Sequence, residues 1–463
     1  MTRGRLSLAG DGRSGGAHNA ERTILDISSI ARWRGPAVGI LRVQQALAHF
    51  ALEHRPDIVL SVYDNAGRFR AVNPRWAEHV VGWNGAIGGR HGRLISLVPT
   101  PYTLVDALER LRLAYGGETL SRIVKAAQHL VLLMRRRRRG VVPYAIAVGP
   151  PLALSPRDVI IATGSEWALK DAAKIAALKR EFGFRYVVMC YDIIALIFPQ
   201  YFPPEHVAAF RRYWNQMFPL ADRILVNSRT VARDIADYCG RNGLRFAEPE
   251  LVPLGFDVTL RAATTPLPAG LQAGRYVLFV STIEPRKGHG MLIRVWQRLM
   301  AANVPQRTGF KLVFVGRRGW GVDAVLDQID DKGFCGGTLV HLAGVDDGTL
   351  AALYGAAAFC VYPSLYEGFG LPVIEAFSLR KAVIASSGGA LPETVGRFAP
   401  CLDPNDEDAW FETLKQWIED PEIREPYEAI IRAEFSWPTW EEAAPPILGL
   451  PPKSDQTSLS ANA

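Results

Sequence analysis

The chain has 463 residues, of which 48% are hydrophobic and 21% charged, the profile of a soluble globular protein with room for two or three substantial cores. Its formal net charge is +7, with an isoelectric point near 9.2. That balance suits nucleic acid, anionic lipid or a phosphorylated ligand without choosing among them. Five scattered cysteines (Cys190, Cys239, Cys335, Cys360, Cys401) with no C-x-x-C pair argue against a disulfide framework or a zinc site.

Residues 1–20 are rich in Gly, Ser and Arg, lack the apolar core of a signal peptide, and are expected to be disordered. Thr23–Ile27 reads as a first buried strand. A loop with Gly35, Pro36 and Gly39 follows, then a helix over about 40–52 with Leu41, Val43, Leu47, Phe50 and Ala51 at helical spacing, then a strand over 58–63. This is the opening of a βαβ unit. Residues 64–157 show little regular patterning, except that Ile123, Val124, Ala127, Leu130, Val131 and Met134 fall on one helical stripe, followed by Arg135, Arg136, Arg137, Arg138 and Arg139. A basic amphipathic segment of this kind suits an anionic membrane surface. It reads equally as a core-facing helix whose C-terminal cations end in a solvated loop. Nucleic acid is a third reading, against which stands the lack of aromatic residues among the arginines.

Strands follow at 158–162 and 185–190, the second running into Tyr191 and Asp192. The longest apolar stretch, 187–202, is interrupted by Asp192 and Pro199, and no run reaches the roughly 20 apolar residues a membrane-spanning helix needs. Arg223 to Asn227 reads as a strand, with Ser228 as the N-cap of a helix through Tyr238. Residues 258–274, rich in Ala, Thr, Pro and Gly, read as a linker. From Tyr276 the alternation is regular: strands at 276–280, 311–315, 339–342, 359–362 and 382–385 with helical patterns between them, then a helix over 406–418. Repeated βα units imply a parallel sheet with right-handed crossovers.

Two strand-to-helix junctions in this half carry chemistry. Ser281 to Gly288 places Arg286 and Lys287 between a strand end and a helix start, where fixed cations and helix N–H groups stabilise negative charge as it develops. Arg supplies a planar fork and Lys a point charge. The other junction runs from Val361 to Ala376. A strand breaks at Pro363, a loop carries Glu367, Gly368 and Gly370, and a helix is expected to open with Pro372 at its first position and Glu375 in its first turn. Ligands bind at this edge of an open α/β sheet. Val315-Gly316-Arg317-Arg318-Gly319 repeats the pattern and is available to shape the pocket, but it lacks the G-K-[ST] ending of a P-loop. No D-x-D-type carboxylate pair stands at a strand end to hold a metal.

Pro363 to Ala376 resembles the P-S-x-x-E-G-F-G-L-P-x-x-E-A signature of the retaining glycosyltransferases of family 4. Glu284 to Gly288 resembles that family's E-P-R-K-[NG] segment. The resemblance is dense from about 250 to 440 and thin before that. It implies a GT-B fold: α/β, with two Rossmann-like domains facing a cleft. The implied division is an acceptor-binding domain over 21–257, a nucleotide-sugar-binding domain over 258–430, and a helix over 431–449 crossing back to the first domain. Residues 450–463 are expected to be disordered. Carried over, Glu367 contacts the donor sugar, Glu375 the ribose hydroxyls, and Phe369, Gly370 and Leu371 hold sugar and phosphate through their backbone. Arg286 and Lys287 take the leaving diphosphate, Gly39 lies against the donor phosphates, and Gly316 shapes the nucleotide pocket. Gly39 reads equally as an ordinary loop glycine. Asp192 matches the aspartate of a His-Asp pair facing the acceptor, with Tyr191 in place of the histidine. It reads equally as the cap of a turn.

The resemblance implies a hexosyl transfer with retention, mannose from GDP-mannose being the first assignment. It further implies no metal and no cofactor beyond the nucleotide-sugar substrate, and a glycan or lipid-linked acceptor in the synthesis of lipopolysaccharide or another surface polysaccharide. The location it implies is cytoplasmic, peripheral on the inner face of the plasma membrane. A nucleotide-sugar epimerase of the same fold and a non-catalytic nucleotide-sugar sensor are the alternatives. Retention of Arg286, Lys287, Glu367 and Glu375 counts against the sensor.

Overall fold

The computed structural model of the chain describes residues 21–32, 39–81, 147–256, 265–331 and 334–450. The arginine run, the helical stripe before it, residues 1–20 and residues 451–463 lie outside the described residues, while Leu450, the first residue of the C-terminal segment expected to be disordered, donates its N–H to the Pro445 carbonyl at 2.9 Å.

Two sheets organise the chain. The first has eight strands in the order β4-β3-β2-β1-β5-β6-β7-β8. In sequence these are β1 (Arg22–Asp26), β2 (Val59–Tyr63), β3 (Phe69–Val72), β4 (Val148–Pro151), β5 (Asp158–Ala162), β6 (Arg185–Cys190), β7 (Arg223–Val226) and β8 (Pro249–Leu251). From β2 to β8 across the sheet every pairing is parallel, while β3 and β4 add an antiparallel edge. That edge lies in the stretch whose sequence shows no clear alternation. The second sheet has six strands, all parallel, in the order β11-β10-β9-β12-β13-β14. They are β9 (Tyr276–Val280), β10 (Lys311–Val315), β11 (Leu339–Leu342), β12 (Phe359–Tyr362), β13 (Val383–Ser386) and β14 (Cys401–Leu402).

The strand order reverses between β9 and β12, so the loops leaving those two strands splay to opposite sides and leave a crevice at their carboxyl ends. Those loops are the ones that carry Arg286, Lys287 and Glu367. Both faces of the second sheet are buried, which explains its uninterrupted apolar strands. The first sheet has a hydrophobic cluster on each face.

The last helix, Trp440–Ile447, leaves the second domain and packs on the first. Ala444, Ile447 and Leu448 share a core with Leu41, Val43 and Leu47. Ile431 and Phe435 still belong to the second core, so the crossing falls after Phe435 rather than at 431. The two crossing segments run together: Phe256 N–H donates to the Pro438 carbonyl at 2.9 Å, and Trp437 Nε1 donates to the Leu254 carbonyl at 2.8 Å. Gly255 permits this, because a Cβ there would stand 2.7 Å from Trp440 Cα.

A buried charge cluster stands at the carboxyl end of β1. Lys170 Nζ is fully buried and paired with both Asp26, at the end of β1, and Glu166. Burial opposes its charge, but the two carboxylates prevail and hold the ammonium protonated.

Candidate active site

Four residues from the two splayed loops converge at the switch point. Pro285 to Lys287 forms one 3-10 turn after β9, closed by Gly288 at φ +81°. A Cβ at Gly288 would lie 2.3 Å from the Pro363 carbonyl oxygen, so only glycine lets this turn sit against the loop after β12. The contact is sealed by Leu365 N–H donating to the Arg286 carbonyl at 2.7 Å. Across it, Arg286 Nη1 donates to Glu367 Oε2 at 3.0 Å and to the Tyr366 carbonyl at 2.9 Å. Lys287 Nζ donates to Glu367 Oε1 at 2.5 Å, and Ser364 Oγ donates to the same oxygen at 2.7 Å.

Glu367 is buried, which by itself favours its neutral form. Lys287 and Arg286 overcome that and hold its pKa down at about 2. Arg286 is held charged in spite of its burial by Glu367, Glu284 and Asp192. Glu284 is a second buried carboxylate, 3.5 Å from Arg286 Nε without hydrogen-bond geometry, and burial raises its pKa. The result is an Arg–Lys pair balanced by one ionised carboxylate and bordered by a second whose charge is discouraged. An anion arriving here would meet cations already fixed and largely withdrawn from solvent.

Glu375 differs from its sequence expectation. The helix spans Leu371–Ser378, so Pro372 is its second residue and Glu375 lies in the second turn rather than the first. Its side chain is nonetheless buried and in the cleft. Tyr354 Oη donates to Oε2 at 2.9 Å, and Arg42 Nη1, from the other domain, donates to Oε1 at 3.2 Å. Burial raises the Glu375 pKa against the opposing pull of Arg42 and Tyr354.

The remaining predicted positions separate. Gly370 takes φ +111° as the helix N-cap, a conformation suited to glycine. Leu371 packs on the core of the first domain, and Phe369 lies over Trp437 with ring centroids 5.8 Å apart. Gly39 caps the Ile40–His54 helix at φ +50°, with nothing among the described residues within 4 Å of an added Cβ. Gly316 is filled rather than open: a Cβ would stand 1.9 Å from the Ser281 carbonyl oxygen, so it serves close packing of two loops. Asp192 Oδ1 accepts from Ile194 N–H at 3.1 Å, the turn-capping arrangement, while the same side chain lies against Gly368 of the second domain. It therefore stands beside the site as well as capping its own turn. Among the described residues no group of three or more His, Cys, Asp or Glu is placed to hold a metal ion.

The sequence points to no site role for several contributors, Ser228 among them, which reads there only as a helix N-cap. Ser228 Oγ donates to the Gly368 carbonyl at 2.9 Å, and Tyr366 Oη donates to Asp234 at 2.8 Å. Glu393, in the second domain, accepts the N–H groups of Arg229 and Thr230 at 2.8 and 2.7 Å, capping a helix of the first. These bonds hold the cleft's two walls together. Ser364 and Glu284 lie inside the motif stretches and were legible there. Arg42 had only a faint signal, a cation in an otherwise apolar first helical turn.

The model of the family described as "Glycosyl transferases group 1" matches residues 271–434. The O-antigen chain mannosyltransferase B of Escherichia coli is 30% identical over 351 residues, covering 72% of this chain and 88% of that protein. The chain belongs to the group 1 glycosyl transferases. This glycosyltransferase is also 25% identical over 318 residues to the serotype-specific mannosyltransferase WbdA of Escherichia coli, of which it spans 38%. Its fold is GT-B. The crystal structure of Anabaena HepE in complex with UDP-glucose superposes with a TM-score of 0.55 at 17% identity, covering 92% of this chain and 98% of that one, a likeness of fold. Among the described residues no helix is long and apolar enough to cross a membrane.

Proposed function

We propose that this glycosyltransferase moves a hexose, mannose from GDP-mannose, to a glycan or lipid-linked acceptor with retention of configuration, in the synthesis of a cell-surface polysaccharide. The observation that carries the reading is the pairing of Arg286 and Lys287 with Glu367 at the sheet's switch point. The choice of mannose is supported by the names of two relatives, the O-antigen chain mannosyltransferase B and WbdA.

The bond from the sugar's anomeric carbon to the diphosphate oxygen breaks, and the electron pair stays on that oxygen. Arg286 and Lys287 stabilise the charge where it grows, in a buried setting that strengthens each contact. The acceptor hydroxyl attacks from the face the diphosphate leaves, and its proton passes to the departing diphosphate. Glu367 contacts the donor sugar, Asp192 orients the acceptor hydroxyl, and Glu375 takes the ribose. Because the protein supplies two cations, the reaction proceeds without a metal. The acceptor brings the enzyme to the inner face of the plasma membrane, with Arg135 to Arg139 against anionic lipid.

Thermal stabilisation by a panel of nucleotides and nucleotide sugars tests the donor class, since a ligand at a hundredfold excess over its Kd stabilises the folded state by about 2.7 kcal/mol. A shift with GDP and GDP-mannose, lost in Glu375→Ala, supports the reading. A shift with UDP compounds alone keeps the glycosyltransferase and removes mannose. Activity unchanged by a chelator supports the absence of a metal.

A further inference from the structure

Glu375 is hydrogen-bonded by a side chain from each domain. Tyr354, on its own side, bonds one carboxylate oxygen, and Arg42, from the opposite wall, bonds the other. Arg42 does not reach Glu375 alone. Its Nη2 also donates to Asp347 Oδ1 at 2.8 Å, so the fork of one guanidinium spans two carboxylates on two elements of the second domain. The Asp347 side chain is 74% exposed, and that pair by itself contributes little. The Glu375 side chain is 10% exposed. A buried carboxylate facing a planar fork is oriented as well as neutralised.

We propose that Arg42 is a positioning residue for the donor nucleotide. It fixes the Glu375 carboxylate in one orientation, so that the ribose hydroxyls meet an acceptor set by both domains. The inference rests on the nucleotide-sugar reading above. It adds that nucleotide affinity depends on a residue of the domain otherwise assigned to the acceptor. Without Arg42, Glu375 is a buried carboxylate with only a tyrosine hydroxyl, and its ionised form is disfavoured. A neutral carboxyl accepts more weakly from the ribose. The diphosphate is assigned to Arg286 and Lys287, whose bonds go to Glu367 and not to Arg42 or Glu375.

The test is a double-mutant cycle on affinity, titrating the full chain with GDP, with UDP and with inorganic pyrophosphate by calorimetry. The proteins are the wild type, Arg42→Ala, Arg42→Lys, Glu375→Ala and the Arg42→Ala/Glu375→Ala double variant. For the nucleotide that the wild type binds, Arg42→Ala is expected to weaken affinity about tenfold or more, the scale of a hydrogen bond to a charged group. Arg42→Lys recovers part of that, since it restores charge without the fork. The double variant falls within about twofold of Glu375→Ala, because residues acting through one another are not additive. Pyrophosphate affinity stays within about twofold throughout, which a general loss of the cleft's structure would not allow. Wild-type nucleotide affinity in Arg42→Ala overturns the inference alone, as do additive losses or a parallel fall for pyrophosphate. A wild type that binds neither GDP nor UDP overturns the nucleotide-sugar reading and this inference with it.

Discussion

Lys287 Nζ lies 2.5 Å from Glu367 Oε1, although the two residues come from loops on opposite sides of the sheet's switch point. Both side chains are largely withdrawn from solvent, and Lys287 is one of the two cations that hold Glu367 ionised. A leaving diphosphate would compete with Glu367 for the same ammonium, turning a resting ion pair into leaving-group stabilisation. Lys287→Ala is therefore expected to lower kcat by roughly 10²–10³-fold, the range for removing one donor to a developing anion. Donor affinity should change far less. Steady-state kinetics alongside calorimetric binding separates the two, and an unchanged kcat would remove Lys287 from the chemistry.

Glu393 reaches across the cleft to cap the Arg229–Asn242 helix, beyond the helix's own Ser228 cap. Loss of a cap typically costs 0.5–2 kcal/mol, about 1 in the common case. Glu393→Ala should lower the melting temperature by a few degrees and loosen the contact between the domains. Calorimetric melting reads the first effect and small-angle scattering the second. A variant as stable as the wild type would make the contact incidental.

His289 sets an acid limit on stability. Its ring is 1% exposed, lies between Phe279 and Phe314, and has no hydrogen-bond partner on either nitrogen among the described residues. Burial, with Lys287 and His341 adding repulsion, pushes its pKa down to about 3. An unfolded histidine titrates near 6.5. Between those values the unfolded chain binds a proton that the folded chain does not, so stability is full above about 6.5 and falls as the pH drops toward 3. His289→Leu should flatten that fall. Urea midpoints at pH 7 and pH 5 measure it, and equal pH slopes in both proteins would contradict the assignment.

Replacing Arg135 to Arg139 by alanine should reduce sedimentation with liposomes containing anionic lipid and leave transfer to a short soluble acceptor unchanged. Neutral liposomes serve as the control. Undiminished sedimentation would remove the membrane reading, leaving the arginines as a solvated loop.

The second domain was legible because its physics is local. The strands β9, β10, β11 and β12 begin and end at the residues expected, since strands buried on both faces are short apolar runs bounded by glycine, proline and charge. The Glu375 offset arose because the helix starts one residue earlier than Pro372 suggests. The edge strands β3 and β4 escaped notice: β4 ends in Pro150 and Pro151, tolerable only at an edge, and β3 has few buried positions to mark its period. The cations and the Glu367 carboxylate could be placed from motif and junction together. Arg42, Tyr354 and Glu393 could not, because their bonds join segments far apart in the chain and depend on how two domains meet.

Retaining transfer of a hexose from a nucleotide sugar leaves the donor's anomeric configuration in the product. The measurement that tests it most directly is proton NMR of the product formed from GDP-mannose and a lipid-linked glycan acceptor, reading the anomeric configuration of the new linkage. An α-linked mannose, the configuration of the donor, is expected, appearing in step with released GDP. A β-linked product, or no transfer from any nucleotide sugar to any such acceptor, would contradict it.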